Sequence, residues 1–154
     1  MNAESQLHQI ARALHECRLE AVLIGNAAAA LQGAPVTTLD FDFMFRKTSP
    51  NLQKLKELAD RVEGMILKPF YPLSDLYRVV NDGTGLQLDF MSTVHGVTSF
   101  AGLRSRSTEV RFGDCPMMVA DLEDIIKSKK AVGREKDLAV IDILEKTLDE
   151  KEAH

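Results

Sequence analysis

The chain has 154 residues, 45% of them hydrophobic and 27% charged, and 19 Lys and Arg face 23 Asp and Glu for a formal net charge of −4. That length suits a single domain over residues 1–154, burying about two-thirds of its unfolded surface. The acidic balance argues against a general nucleic-acid coat and leaves only a local basic patch for phosphates.

No run approaches the ~20 apolar residues of a membrane span, so no membrane contact is expected. The start, Met1-Asn2-Ala3-Glu4-Ser5-Gln6, lacks the basic and apolar segments of a signal peptide. Cys17 and Cys115 fall in no metal or redox spacing and read as reduced thiols of a cytoplasmic protein, with a disulfide between them left open.

Residues 3–17 place Leu7, Ile10, Ala11 and Leu14 at helical spacing. Ala21-Val22-Leu23-Ile24 is a short apolar run ended by Gly25, as in a buried strand. An alanine-rich helix follows, with Asn26 as its N-cap and Gly33 at its close. Residues 38–45 then alternate as a strand. Leu39, Phe41, Phe43 and Phe45 share one face, and Asp40, Asp42 and Met44 share the other.

Ser49-Pro50 predicts a helix start, with Ser49 as N-cap, and Leu52, Leu55, Leu58, Ala59 and Val62 form its apolar stripe up to Gly64. Met65 to Lys68 reads as a strand, and Pro69 and Pro72 mark an irregular crossing. Leu76–Val80 and Leu86–Met91 predict a hairpin around the loop 81–85, with Gln87, Asp89 and Met91 on one face. Residues 92–107 give no clear pattern. Short strands are expected at 108–112 and 116–119 around Gly113-Asp114. Asp121 reads as the N-cap of a helix using Leu122, Ile125 and Ile126. Gly133 interrupts, and a last helix uses Leu138, Ile141, Leu144 and Leu148, with a frayed end from residue 148.

Asp40 and Asp42 would lie roughly 7 Å apart along one strand face, at ~3.3 Å per residue. Two anions held there repel each other unless a cation lies between them. If the strand of Asp89 is a neighbour, three carboxylates converge. Hard oxygen ligands suit Mg²⁺, which takes one or two carboxylates plus substrate phosphates. Surface acids on a strand fit the same pair. An EF-hand is excluded, because Met44 stands where a third ligand is needed and no Gly follows. The Gly25 turn opens a helix, whose N-terminus favours phosphates, and Asp40 follows about 15 residues on. His15 and His95 receive no role.

In order and spacing, Leu23-Ile24-Gly25-Asn26 through Gly33, Thr37-Thr38-Leu39-Asp40-Phe41-Asp42, Leu88-Asp89-Phe90 and the stretch from Asp121 to Asp137 resemble the nucleotidyltransferases of the DNA polymerase β superfamily. The likeness is to small bacterial members, the minimal nucleotidyltransferases and abortive-infection toxin domains, and runs over about residues 20–145. It implies an α+β fold, a mixed sheet flanked by helices with C-terminal helices at about 121–150. It implies that Asp40, Asp42 and Asp89 hold Mg²⁺ or Mn²⁺ and that Asp89 helps activate an acceptor hydroxyl. Gly25, Asn26 and Thr38 would serve a nucleoside triphosphate, with Lys129, Arg134 and Lys136 as a basic cluster. The family usually has Gly or Ser where this chain has Asn26, an amide able to donate to phosphate. Implied partners are a nucleoside triphosphate and an acceptor that is RNA, protein or small molecule. The alternative is a catalytically silent module of the same fold, such as a toxin–antitoxin component.

Overall fold

In the computed structural model the described residues are 3–38, 40–67 and 75–153. Leu39, Lys68, Pro69 and Pro72 lie outside them. The elements in chain order are α1 (Ala3–Cys17), β1 (Ala21–Ile24), α2 (Gly25–Leu31), β2 (Phe41–Phe45), α3 (Ser49–Arg61), β3 (Met65–Leu67), β4 (Tyr77–Asn81), β5 (Leu86–Met91), α4 (Phe100–Arg106), β6 (Thr108–Phe112), β7 (Cys115–Val119), α5 (Leu122–Val132) and α6 (Glu135–Ala153). The strands form a seven-stranded sheet in the order β3-β4-β5-β2-β1-β7-β6. It is mixed: β1–β7 and β2–β5 are parallel, and the other pairs are antiparallel.

Register fixes which side chains share a face. Tyr77, Phe90, Phe43, Leu23 and Val119 are successive partners across five strands. With Phe41, Phe45, Leu88 and Val79 they build the apolar face, and Phe43, Phe45, Phe90, Leu88 and Val79 are fully buried. Phe43 stacks on Phe90 with centroids 5.1 Å apart, and Phe45 meets Phe90 edge-on. Helices α1 and α3 pack on each other, α1 against β6 and β7 and α3 against β3. On the other face α2 packs against β1, β2 and α5, and α6 packs on α5. The stripe Leu7, Ile10, Ala11 and Leu14 is buried as its spacing requires.

Several boundaries differ from the sequence reading. Asn26 is not an N-cap: helix α2 starts at Gly25, its cap residue is Ile24, and no side chain caps it. Strand β2 starts at Phe41, not at residue 38: its pairing with β1 stops at Asp42 opposite Ile24, and its pairing with β5 stops at Phe41 opposite Leu88. Met44 is buried, so the face it shares with Asp42 is covered rather than open. Thr48, not Ser49, caps α3 and accepts from the Asn51 amide at 3.2 Å, which puts Pro50 one position further inside. Leu138 is 58% exposed, since the buried stripe of α6 runs Asp137, Ile141, Leu144 at i, i+4, i+7 and Leu138 lies a residue off it. The expected frayed end is helical to Ala153, where Lys151 donates to Gln32 Oε1 at 3.0 Å and lies 3.7 Å from Asp121. The unassigned stretch contains α4, capped by Ser99, whose hydroxyl accepts from Gly102 N. Cys17 and Cys115 are free thiols.

Because Phe43 is fully buried and stacked, Phe43→Ala is expected to destabilise the fold by about 3–5 kcal/mol. The check is the midpoint of urea unfolding followed by circular dichroism.

Candidate active site

One row of cross-strand partners carries the acids. Arg78 on β4 faces Asp89 on β5, Asp89 faces Asp42 on β2, and Asp42 faces Ile24 on β1. Partners in register project to the same side, so Asp42 and Asp89 stand side by side on the face opposite the phenylalanines. The chain turns from β1 into α2 at Gly25, with φ +70, a region open to glycine. A Cβ there would lie 3.2 Å from Asp42 Oδ2, so the absent side chain lets the carboxylate rest against the backbone.

Asp42 is pushed up to about 6, first by burial, then by the charges of Asp89 and Asp40, with Lys129 and Arg78 opposing. Asp89 is buried, and both of its oxygens accept from Arg78, Nε to Oδ1 at 2.8 Å and Nη2 to Oδ2 at 3.2 Å. Among the described residues the Asp42 side chain has no hydrogen bond or ion pair, although its backbone is paired in the sheet.

Asp42 and Asp89 line a cavity of about 560 Å³ that also takes in Gly25, Met91, Thr93, Val94, His95, Lys129, Arg134 and Asp137. Two buried acids on its helical wall were not foreseen. Asp124 on α5 accepts from Arg106 on α4 through Nε and Nη2 at 2.9–3.1 Å. Asp137 on α6 accepts from Arg134 Nε at 2.6 Å and lies 3.7 Å from Lys129 Nζ. Burial, first of all, lowers the Lys129 ammonium from its ordinary range, and the Arg134 bond holds Asp137 below its own. A larger cavity, about 640 Å³, is lined by His15, Arg18, Arg61 and Arg104 and holds none of Asp40, Asp42, Asp89, Asp124 and Asp137.

Of the residues singled out from sequence, Asp42, Asp89, Gly25, Lys129 and Arg134 come together at the cavity. Asp40 lies in a bend before β2, exposed and outside the lining, though its charge is felt at Asp42. Thr38 is not in the lining, and its hydroxyl donates to the Asp40 carbonyl at 2.6 Å. Asn26 is also absent from the lining, and its Oδ1 is buried without a hydrogen-bond partner. Lys136 is exposed on α6 away from the cavity lining. Arg78 was missed, although a polar residue inside an apolar strand, paired through a short hairpin, marks it.

The donor chemistry suits a hard divalent cation, with two adjacent carboxylates and one of them unneutralised. Among the described residues no group of three His, Cys, Asp or Glu is assembled to hold a metal ion. Two carboxylates are within what Mg²⁺ accepts when phosphates complete its shell, so the residues fit, with Arg78 occupying one of the two.

A mixed seven-stranded sheet flanked by helices is the nucleotidyltransferase-like fold, and solved structures share it. The solution structure of the antibiotic-resistance factor ANT(2'')-Ia matches with TM-score 0.66 at 15% identity, covering 94% of this chain and 83% of that one. A crystal structure of ANT(2'')-Ia in complex with adenylyl-2''-tobramycin matches at 0.61 and 17% identity, covering 94% and 88%. The lincomycin-bound lincosamide antibiotic adenylyltransferase LnuA matches at 0.67 and 14% identity, covering 93% and 96%. Over residues 3–154 the sequence matches the family described as "Nucleotidyl transferase of unknown function (DUF2204)", and the chain belongs to that family. No curated protein matches it in sequence.

The raised Asp42 gives a pH prediction with a definite sign. Its folded-state proton affinity exceeds the unfolded value, so its contribution favours the fold at low pH and is lost as pH rises through about 6. Asp42→Asn is therefore expected to melt higher than the parent at pH 8, with a gain of up to about 3 kcal/mol. That difference should vanish near pH 4. Thermal melts across this range are the measurement.

Proposed function

We propose that this protein is a metal-dependent nucleotidyltransferase, a single domain that moves a nucleoside monophosphate from a nucleoside triphosphate to an acceptor hydroxyl. The observation that carries the reading is the Asp42–Asp89 pair beside the Gly25 turn, in a cavity whose helical wall presents Lys129 and Arg134. The triphosphate would lie between that turn and the two cations. Asp42 and Asp89, with Asp40 at the edge, would hold Mg²⁺ or Mn²⁺. When bound, the ion supplies charge neutralisation at the reacting phosphate.

The acceptor oxygen attacks the α-phosphorus, the bond from that phosphorus to the bridging oxygen breaks, and pyrophosphate leaves. The hydroxyl proton passes to a carboxylate of the pair, Asp89 by family resemblance. Lys129 and Arg134 stabilise the leaving charge, and Asp137 orients both of them. A cavity of about 560 Å³ suits a nucleotide and a small acceptor better than an RNA or a protein surface. The tobramycin and lincomycin on the fold neighbours support a small-molecule acceptor.

A second reading is a nucleotide- or partner-binding module without turnover, the form a toxin–antitoxin component would take. It is favoured by Arg78 closing both oxygens of Asp89 and by the unpartnered Asn26 amide oxygen.

Transfer of label from α-³²P nucleoside triphosphates, with Mn²⁺ and a panel of hydroxylated acceptors, separates the two. Turnover is expected, and Asp42→Asn should lower it by on the order of 10²-fold or more. Near-parental transfer by that variant would remove the assigned role. Triphosphate binding without transfer would favour the module. Lys129→Ala is expected to weaken triphosphate binding by about tenfold, read by calorimetry.

A further inference from the structure

We propose that Arg78 is a resident counter-cation that holds Asp89 in the metal-free protein and competes with the divalent cation for it. This rests on the metal reading given above. The fork takes both oxygens of Asp89, so a cation shared with Asp42 must gain an oxygen from Arg78 or accept a positive neighbour.

Exposure says which partner can leave. The Asp89 side chain is 10% exposed and fixed in the sheet, whereas Arg78 is 41% exposed on a long stem that can turn into water. Topology says what the pair is for. Arg106–Asp124 ties α4 to α5, and Lys129–Asp137 ties α5 to α6, so those pairs join elements that need joining. Arg78 and Asp89 lie on β4 and β5, already hydrogen-bonded along five residue pairs. The bridge adds little to that architecture. What it does alter is the charge beside Asp42, which lacks a neutralising partner among the described residues.

Removing the guanidinium leaves two adjacent carboxylates with no cation bonded to either among the described residues, so the variant should bind a divalent ion more tightly. The test is Mn²⁺ titration calorimetry of the full chain without nucleotide, comparing the parent with Arg78→Met, alongside melting with and without Mn²⁺. Binding is expected to be about tenfold tighter in Arg78→Met, and Mn²⁺ should raise its melting temperature more than the parent's. Mn²⁺ binding to the variant but not to the parent supports the proposal as well. Binding to the parent that is equal or weaker in the variant overturns this proposal and leaves the metal reading standing. Binding to neither chain removes both. Should Arg78→Met be unfolded by circular dichroism, Arg78→Lys, which keeps the charge but not the fork, takes its place. Tighter Mn²⁺ there supports the proposal, and equal or weaker Mn²⁺ overturns it.

Discussion

Asp42 rests against the backbone of Gly25 with a second carboxylate beside it on the next strand, and burial keeps most of the water away from it. A carboxylate so placed is unfavourable to the fold at neutral pH, and the opposite face of the same strand offsets it. Phe41, Phe43 and Phe45 are buried there, each stabilising by roughly 1.5–3 kcal/mol relative to exposure. Moving Asp42 to solvent by a one-residue slip would carry those rings out with the strand. Strong packing on one side therefore holds an unfavourable charge on the other, which is how a site keeps a group that stability alone would discard.

The remaining buried acids of the cavity are treated differently. Asp89 and Asp137 each accept two bonds from a guanidinium and Asp124 accepts three, and each such pair sits with the acid buried and the arginine reaching toward solvent. Buried carboxylates left without partners are costly, and bidentate arginine is the strongest common remedy. Set against these three, Asp42 has no guanidinium bonded to it among the described residues, although a second carboxylate stands beside it.

Much of this was legible from the residues. The alternation in Phe41–Phe45 and Leu86–Met91 gave both strands and the acid face, and the Gly25 turn was placed correctly because a strand run ending in Gly before alanines has few other readings. Asp40 was less well placed. Alternation alone extends a strand as far as the pattern runs, whereas the real strand ends where its neighbours stop pairing, at Phe41. The buried acids of the last helices were hidden by their type. Asp137 takes the apolar position that Leu138 was expected to fill, and only the nearby Arg134 and Lys129 make an aspartate stable there. Helix α4 was missed because its Gly and Ser content reads as loop, although Ser99 three residues before Gly102 is a capping signal.

Arg78 shows how narrow the margin was. With a loop of residues 81–85, the closing pair would be Val80 and Leu86, and Arg78 would face Leu88. The structure keeps Asn81 in the strand opposite Leu86, and its side chain anchors the turn by accepting from Thr84 N at 3.2 Å and donating to the Val62 carbonyl at 3.0 Å. Arg78 then faces Asp89. The same register puts Val79 opposite Leu88, both fully buried, and Tyr77 opposite Phe90. Because side chains alternate with a period of two, the pairing that buries the apolar partners is also the pairing that sets guanidinium against carboxylate. The core on one face thus dictates the charge row on the other, and a change in the length of the 82–85 loop would disturb both at once.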